Sequence, residues 1–127
     1  MPYRTVLVGT DGSLTAGRAV QRAVELAAGM KAKLVVANVG DPAVGKGVLD
    51  AVAQLHAAGG VEIDLRQLAG DPADALLGLA EAEHIDAIVV GNKGMTGAQR
   101  FLLGSVPNKI SHQAHCDVLI VNTTPHA

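Results

Sequence analysis

The chain has 127 residues, a formal net charge of -2 and 49% hydrophobic residues, and its only aromatic side chains are Tyr3 and Phe101. A chain of this length buries roughly two-thirds of its unfolded surface, so one aliphatic core suffices without disulfides and 1–127 reads as a single domain. The absence of a basic excess and of stacking aromatics argues against nucleic-acid binding. No apolar run reaches the roughly 20 residues of a membrane-spanning helix.

The first strand is the apolar run Val6–Val8. A turn, Gly9-Thr10-Asp11-Gly12-Ser13, follows it. Ala16, Ala19, Val20, Ala23, Val24 and Ala27 then recur at helical spacing, with Ser13 or Thr15 as cap and Gly29 as stop. Leu34–Ala37 is the second strand. The next segment, Gly40–Gly47, imitates a phosphate-binding G-x4-G-K loop, but Gly47 stands where a magnesium-binding Ser or Thr belongs. It reads as a surface turn. Val48, Val52 and Leu55 mark a second helix ending before Gly59-Gly60. Val61, Ile63 and Leu65 alternate with charged residues, the habit of a half-exposed edge strand.

Asp71-Pro72 opens a third helix, with Asp71 as cap, Pro72 in the first helical position and Ala73, Leu76, Leu77 and Ala80 as its apolar face. Ile88–Val90 is the fourth strand, followed by a long loop, Gly91–Gly104. Loops of that length in a compact domain are often functional. A fourth helix follows Ser105, with Pro107 in its first turn and Ile110 and Ala114 inward. Val118–Val121 is the last strand.

Four strands apolar on both faces, alternating with helices, predict an α/β fold: a doubly wound five-stranded parallel sheet with helices on both faces, Rossmann-like. Placing the half-exposed third strand at an edge gives the order 3-2-1-4-5. Ligands bind such sheets at the carboxyl ends of the strands that flank the switch in order, here the first and fourth. Two glycine-rich loops leave those strands. Glycines let main chain approach a ligand, and successive N–H groups there form anion-binding nests. Gly104-Ser105-Val106 also opens a helix, whose N-terminus favours phosphate. Each hydrogen bond to a charged oxygen is worth about 1.5–3 kcal/mol, so three or four hold a polyphosphate without a basic cluster.

Gly91, Gly94, Gly104 and Ser105 are spaced as G-x2-G-x9-G-[ST]. With the opening Val6-Leu7-Val8-Gly9-Thr10-Asp11-Gly12-Ser13, the stretch Arg100–Val106 and the ending Cys116–Val121, this pattern resembles the ATP-binding branch of the universal stress protein family over nearly the whole chain. The resemblance implies a role for each matching residue. Gly9 and Thr10 line the adenine with main-chain atoms, Val39 packs on it, and Asp11 sits near base and ribose or helps hold Mg2+ on the phosphates. Gly91 and Gly94 flank ribose and phosphates, and Gly104, Ser105 and Val106 take the terminal phosphates. Lys93 adds charge at most. The short Gly40–Gly47 connection departs from the family and leaves AMP and cyclic AMP open beside ATP.

Asp11 also fits as a cap for the first helix, which is compatible with binding. His112, His115 and Cys116 supply only three donors, too few for a structural zinc site, and read as a solvated helix end. With a single cysteine and no apparent secretion signal, the chain is expected to be cytoplasmic, and the Asn122-Thr123-Thr124 sequon unmodified. The apolar last strand at a sheet edge predicts a homodimer through Val118–Val121. The leading functional expectation is a regulatory ATP binder with little turnover. Alternatives are a slow ATP hydrolase or phosphotransfer protein, with Ser105 or Thr96 accepting phosphoryl, and an interaction module with a vestigial cleft.

Overall fold

A computed structural model describes residues 2–92 and 104–123. Five strands, β1 (Thr5–Gly9), β2 (Lys33–Val39), β3 (Ile63–Leu68), β4 (Ala87–Gly91) and β5 (Asp117–Val121), alternate with four helices, α1 (Leu14–Met30), α2 (Pro42–Leu55), α3 (Pro72–Ala82) and α4 (Ser105–Gln113). The sheet is wholly parallel in the order β3-β2-β1-β4-β5, as the sequence pattern predicts. β1 lies in the middle. It runs from Thr5 opposite Lys33 to Gly9 opposite Ala37 on one side, and pairs Val6–Val8 with Ala87–Val89 on the other.

The period of two sends neighbouring side chains to opposite faces. Val6, Val8, Leu34, Val36 and Val89 pack with α1 and with Leu49 of α2. Leu7, Val35, Ala37, Ile88 and Val90 pack with Leu76 and Ala80 of α3 and with Val106 and Ile110 of α4. Two cores on one sheet explain why the central strands carry runs that are apolar on both faces, Val6–Val8, Leu34–Ala37 and Ile88–Val90. The outer strands differ: β3 is half-buried throughout, and β5 leaves Leu119 and Ile120 about two-fifths exposed. Val61, expected to start the third strand, precedes it but still packs against the α1–α2 core.

Two details of the sequence reading are corrected. Gly29 does not stop α1. The helix runs to Met30, and Lys31 takes the left-handed position (φ 56°), its N–H reaching the carbonyls of Ala27 and Ala28. Nor is Gly40–Gly47 a surface turn. Asp41 caps α2 by accepting from Ala43 N at 2.9 Å, Pro42 occupies the first turn, and Gly45-Lys46-Gly47 are helical. Asp41-Pro42 is the same start signal as Asp71-Pro72, obscured by nearby glycines, which weaken a helix. Lys46 reaches Asp50 one turn on at 2.8 Å and lies on an exposed face, which disposes of the phosphate-loop likeness.

Candidate functional site

The β1–α1 turn begins at Thr10, which is almost fully buried. Its N–H donates to Ala37 O (2.9 Å), its carbonyl accepts from Asn38 Nδ2 (2.9 Å), and its hydroxyl accepts from Gly12 N (3.1 Å). Gly12, at φ 85°, turns the chain in a conformation that an L-residue rarely adopts. The exposed Asp11 accepts from Ser13 N through Oδ1 at 2.9 Å. The helix cap is Ser13, whose hydroxyl accepts from Ala16 N (3.2 Å). Asp11 thus stabilises the turn without serving as N-cap.

On the other side of the switch, Asn92 N donates to Val121 O (2.8 Å), and Asn92 O accepts from Gly104 N (2.9 Å). The two ends of the long loop are therefore joined at its base. Gly104 is the N-cap of α4, and among the described residues no side chain caps that helix, whereas Ser13, Asp41 and Asp71 cap α1, α2 and α3. Pro107 has no N–H, so the first turn presents the N–H groups of Ser105 and Val106. Lys109 pairs with Asp74 at 2.6 Å and fixes α4 against α3; that bond also holds its ammonium above the usual lysine pKa.

Gly9, Gly91 and Val106 come together, lining one slot with Thr15, Ala16 and Leu76. The slot is narrow, about 20 Å3, room for about one water, so a larger ligand must lie across its mouth. The protein's own side chains claim part of the space the glycines leave. A Cβ on Gly9 would stand 2.9 Å from Leu76 Cδ1, and one on Gly91 would stand 2.8 Å from Thr123 Cγ2. Thr123 is fully buried, and its N–H and hydroxyl both donate to Asn92 Oδ1 (3.1 and 2.9 Å), while Arg18 donates to its carbonyl. The sequence reading missed this lock, having treated Thr123 only as part of a sequon. A glycine preceding an asparagine at a strand end was the available signal.

Val39 closes β2 half-buried and packs on the α3–α4 core. Gly94 lies outside the described residues, as do Lys93, Thr96 and Arg100–Leu103. Beside the β1–α1 turn a second concavity of about 460 Å3 runs between α1 and α2, lined by Gly12, Val20, Val44, Val48 and Leu55 among others. His115 and Cys116 lie at the opposite end of the sheet around another concavity, where burial pushes the Cys116 thiol up and suppresses its nucleophilicity. Among the described residues no three His, Cys, Asp or Glu side chains are grouped to hold a metal.

Comparison with known proteins agrees with this architecture. The sequence profile of the universal stress protein family matches residues 2–53 and 45–122. The chain belongs to that family. The universal stress protein Rv1636 of Mycobacterium tuberculosis is 39% identical over 144 residues, spanning 96% of this chain and 98% of its own. Universal stress protein YxiE of Bacillus subtilis is 30% identical over 146 residues, spanning 94% of this chain and 99% of its own. Among solved structures, a universal stress protein in complex with cAMP superposes with a TM-score of 0.86 at 40% identity, covering 98% of this chain and all of that one.

Proposed function

We propose that this universal stress protein binds an adenine nucleotide across the mouth between β1 and β4, as a regulatory binder with little turnover. The observation that carries the reading is the convergence of Gly9, Gly91 and Val106 on one slot beside a helix start that no side chain among the described residues caps. The N–H groups of Ser105 and Val106 and the Ser105 hydroxyl receive phosphate oxygens, helped by the helix dipole. Gly9 and Thr10 offer the base a main-chain wall, and Val39 offers it an apolar contact. Gly94, in the same spacing as Gly91 and Gly104, completes the phosphate side.

Asp11 suits Mg2+ only in part. Its carboxylate is an exposed hard oxygen donor with one oxygen held by Ser13 N, and among the described residues it belongs to no group of three His, Cys, Asp or Glu side chains that could hold a metal. Magnesium there would draw most of its ligands from phosphate and water, as it commonly does. Among the described residues little would accelerate hydrolysis, which requires positioned charge stabilisers as well as the metal.

ATP is the leading ligand on the G-x2-G-x9-G-[ST] spacing. Cyclic AMP is the second reading, favoured by the cAMP-bound structure at 40% identity. Calorimetric titration of the purified protein with ATP, AMP and cyclic AMP, each with and without Mg2+, tests both. Saturable heat with ATP supports the first reading, and tighter cyclic AMP binding indifferent to Mg2+ supports the second. No heat with any of them at millimolar concentration refutes nucleotide binding.

The same reading includes a twofold dimer. Leu119 and Ile120 are exposed on the edge strand β5, which pairs only with β4 in the described sheet. A second β5 covers both. Sedimentation at micromolar concentration is expected to give a dimer that Leu119→Lys converts to monomer; wild-type monomer alone would remove the dimer from the account.

A further inference from the structure

Below the β1–α1 turn a buried amide and a half-buried one are linked on the face that α2 covers. Asn38 on β2 is 5% exposed and stands opposite Gln67 on β3 in the parallel register. Its Nδ2 donates to Thr10 O at 2.9 Å, and its Oδ1 accepts from Gln67 Nε2 at 2.9 Å. Gln67 Nε2 also lies 3.1 Å from Gly40 O. Gln67 Oε1 is buried without a hydrogen-bond partner and faces Gly45 of α2. A Cβ at position 45 would stand 1.9 Å from that oxygen and 2.4 Å from Asn38 Oδ1, so a side chain there would have to push both amides aside.

Burying the Asn38 amide and an unpaired Gln67 Oε1 is unfavourable, and the neighbouring inward positions on β2, Val36 and Leu34, are apolar. Packing alone would favour an apolar pair here. What the amides supply is direction. The strand ladder leaves Thr10 O to Asn38, and Thr10 in turn orients Gly12 through its hydroxyl. We infer that Asn38 and Gln67 are positioning residues that set the β1–α1 turn, and that α2 communicates with this turn through Gly45. The effect on ligand affinity rests on the nucleotide reading above; the effect on the turn itself does not.

Two readouts on Asn38→Ala separate these levels: hydrogen exchange at the Thr10 and Gly12 amides, and ATP affinity by calorimetry. Losing the hydrogen bond to Thr10 should speed exchange at both amides about tenfold and weaken ATP about tenfold. Leu49→Ala, which opens the same core from α2 without touching the amides, serves as the stability control and leaves both readouts within about twofold of wild type once corrected for global opening. Gly45→Ala, whose methyl group would crowd both amides, should reproduce the Asn38→Ala pattern. Should Asn38→Ala not fold, Gln67→Met keeps the length, drops the amide and takes its place. Wild-type exchange at Thr10 and Gly12 in these variants overturns the inference whether or not nucleotide binds. Altered exchange beside a wild type that binds none of ATP, AMP and cyclic AMP refutes the nucleotide reading and leaves the positioning role standing.

Discussion

Replacing Gly91 by alanine tests whether the glycine serves the protein's own packing. The new Cβ would lie 2.8 Å from Thr123 Cγ2, whereas carbon atoms rest about 3.5–4.0 Å apart. Thr123 cannot yield easily: it is fully buried, its N–H and hydroxyl are held by Asn92 Oδ1, and its carbonyl by Arg18. Gly91→Ala should therefore cost about 1–3 kcal/mol, the usual range for overpacking. Thr123→Ser removes the offending methyl and keeps the hydroxyl, at a cost of about 1 kcal/mol for one buried methyl. In the double variant the alanine methyl fills the vacated space, so the two costs should fall short of their sum by about 1–2 kcal/mol. Urea denaturation of the four proteins, with unchanged m-values as the check on two-state behaviour, measures the cycle. Additivity within about 0.5 kcal/mol would refute the packing account of Gly91.

Gly9 should behave likewise toward Leu76: Gly9→Ala is expected to cost about 1–3 kcal/mol alone and markedly less in a Leu76→Ala background, measured by the same unfolding cycle. Gly29→Ala should stabilise α1 by about 0.5–1 kcal/mol, because the helix continues through Gly29 and nothing stands near its missing Cβ; a lowered thermal midpoint would place the helix end at Gly29 after all. Asp64 is held below its usual pKa of 3.8, chiefly by its hydrogen bond from Arg66, so its contribution is complete above that pH and fades as pH falls through the depressed value. The stability gap between wild type and Asp64→Asn, followed by denaturant midpoint, should therefore close on acidification below 3.8; a gap unchanged to pH 2 contradicts this.

The sheet was legible because its physics is local. Val6–Val8, Leu34–Ala37 and Ile88–Val90 are buried on both faces, and such short runs alternating with helical patterns are the habit of a covered parallel sheet. The half-exposed Ile63 and Leu65 placed the edge, and the order followed. The site was legible where backbone geometry dictates sequence: the Gly9–Gly12 turn and the Gly104–Val106 helix start. What stayed hidden depends on partners distant in sequence. Thr123 meets Gly91 only because β5 lies beside β4, and Asn38 meets Gln67 only through the β2–β3 register. The start of α2 was hidden for a different reason: Gly45 is a poor helix former, tolerated because Gln67 fills the space a side chain would occupy.

Backbone amide mapping by NMR during an ATP titration is the most direct test of the central claim. Bound nucleotide should move the Gly9–Gly12, Gly91 and Gly104–Val106 amides together, saturably and with one affinity, leaving the α1–α2 concavity around Val48 and Leu55 unchanged. Saturable shifts confined to that concavity, or no shifts at millimolar ATP and cyclic AMP, would contradict it.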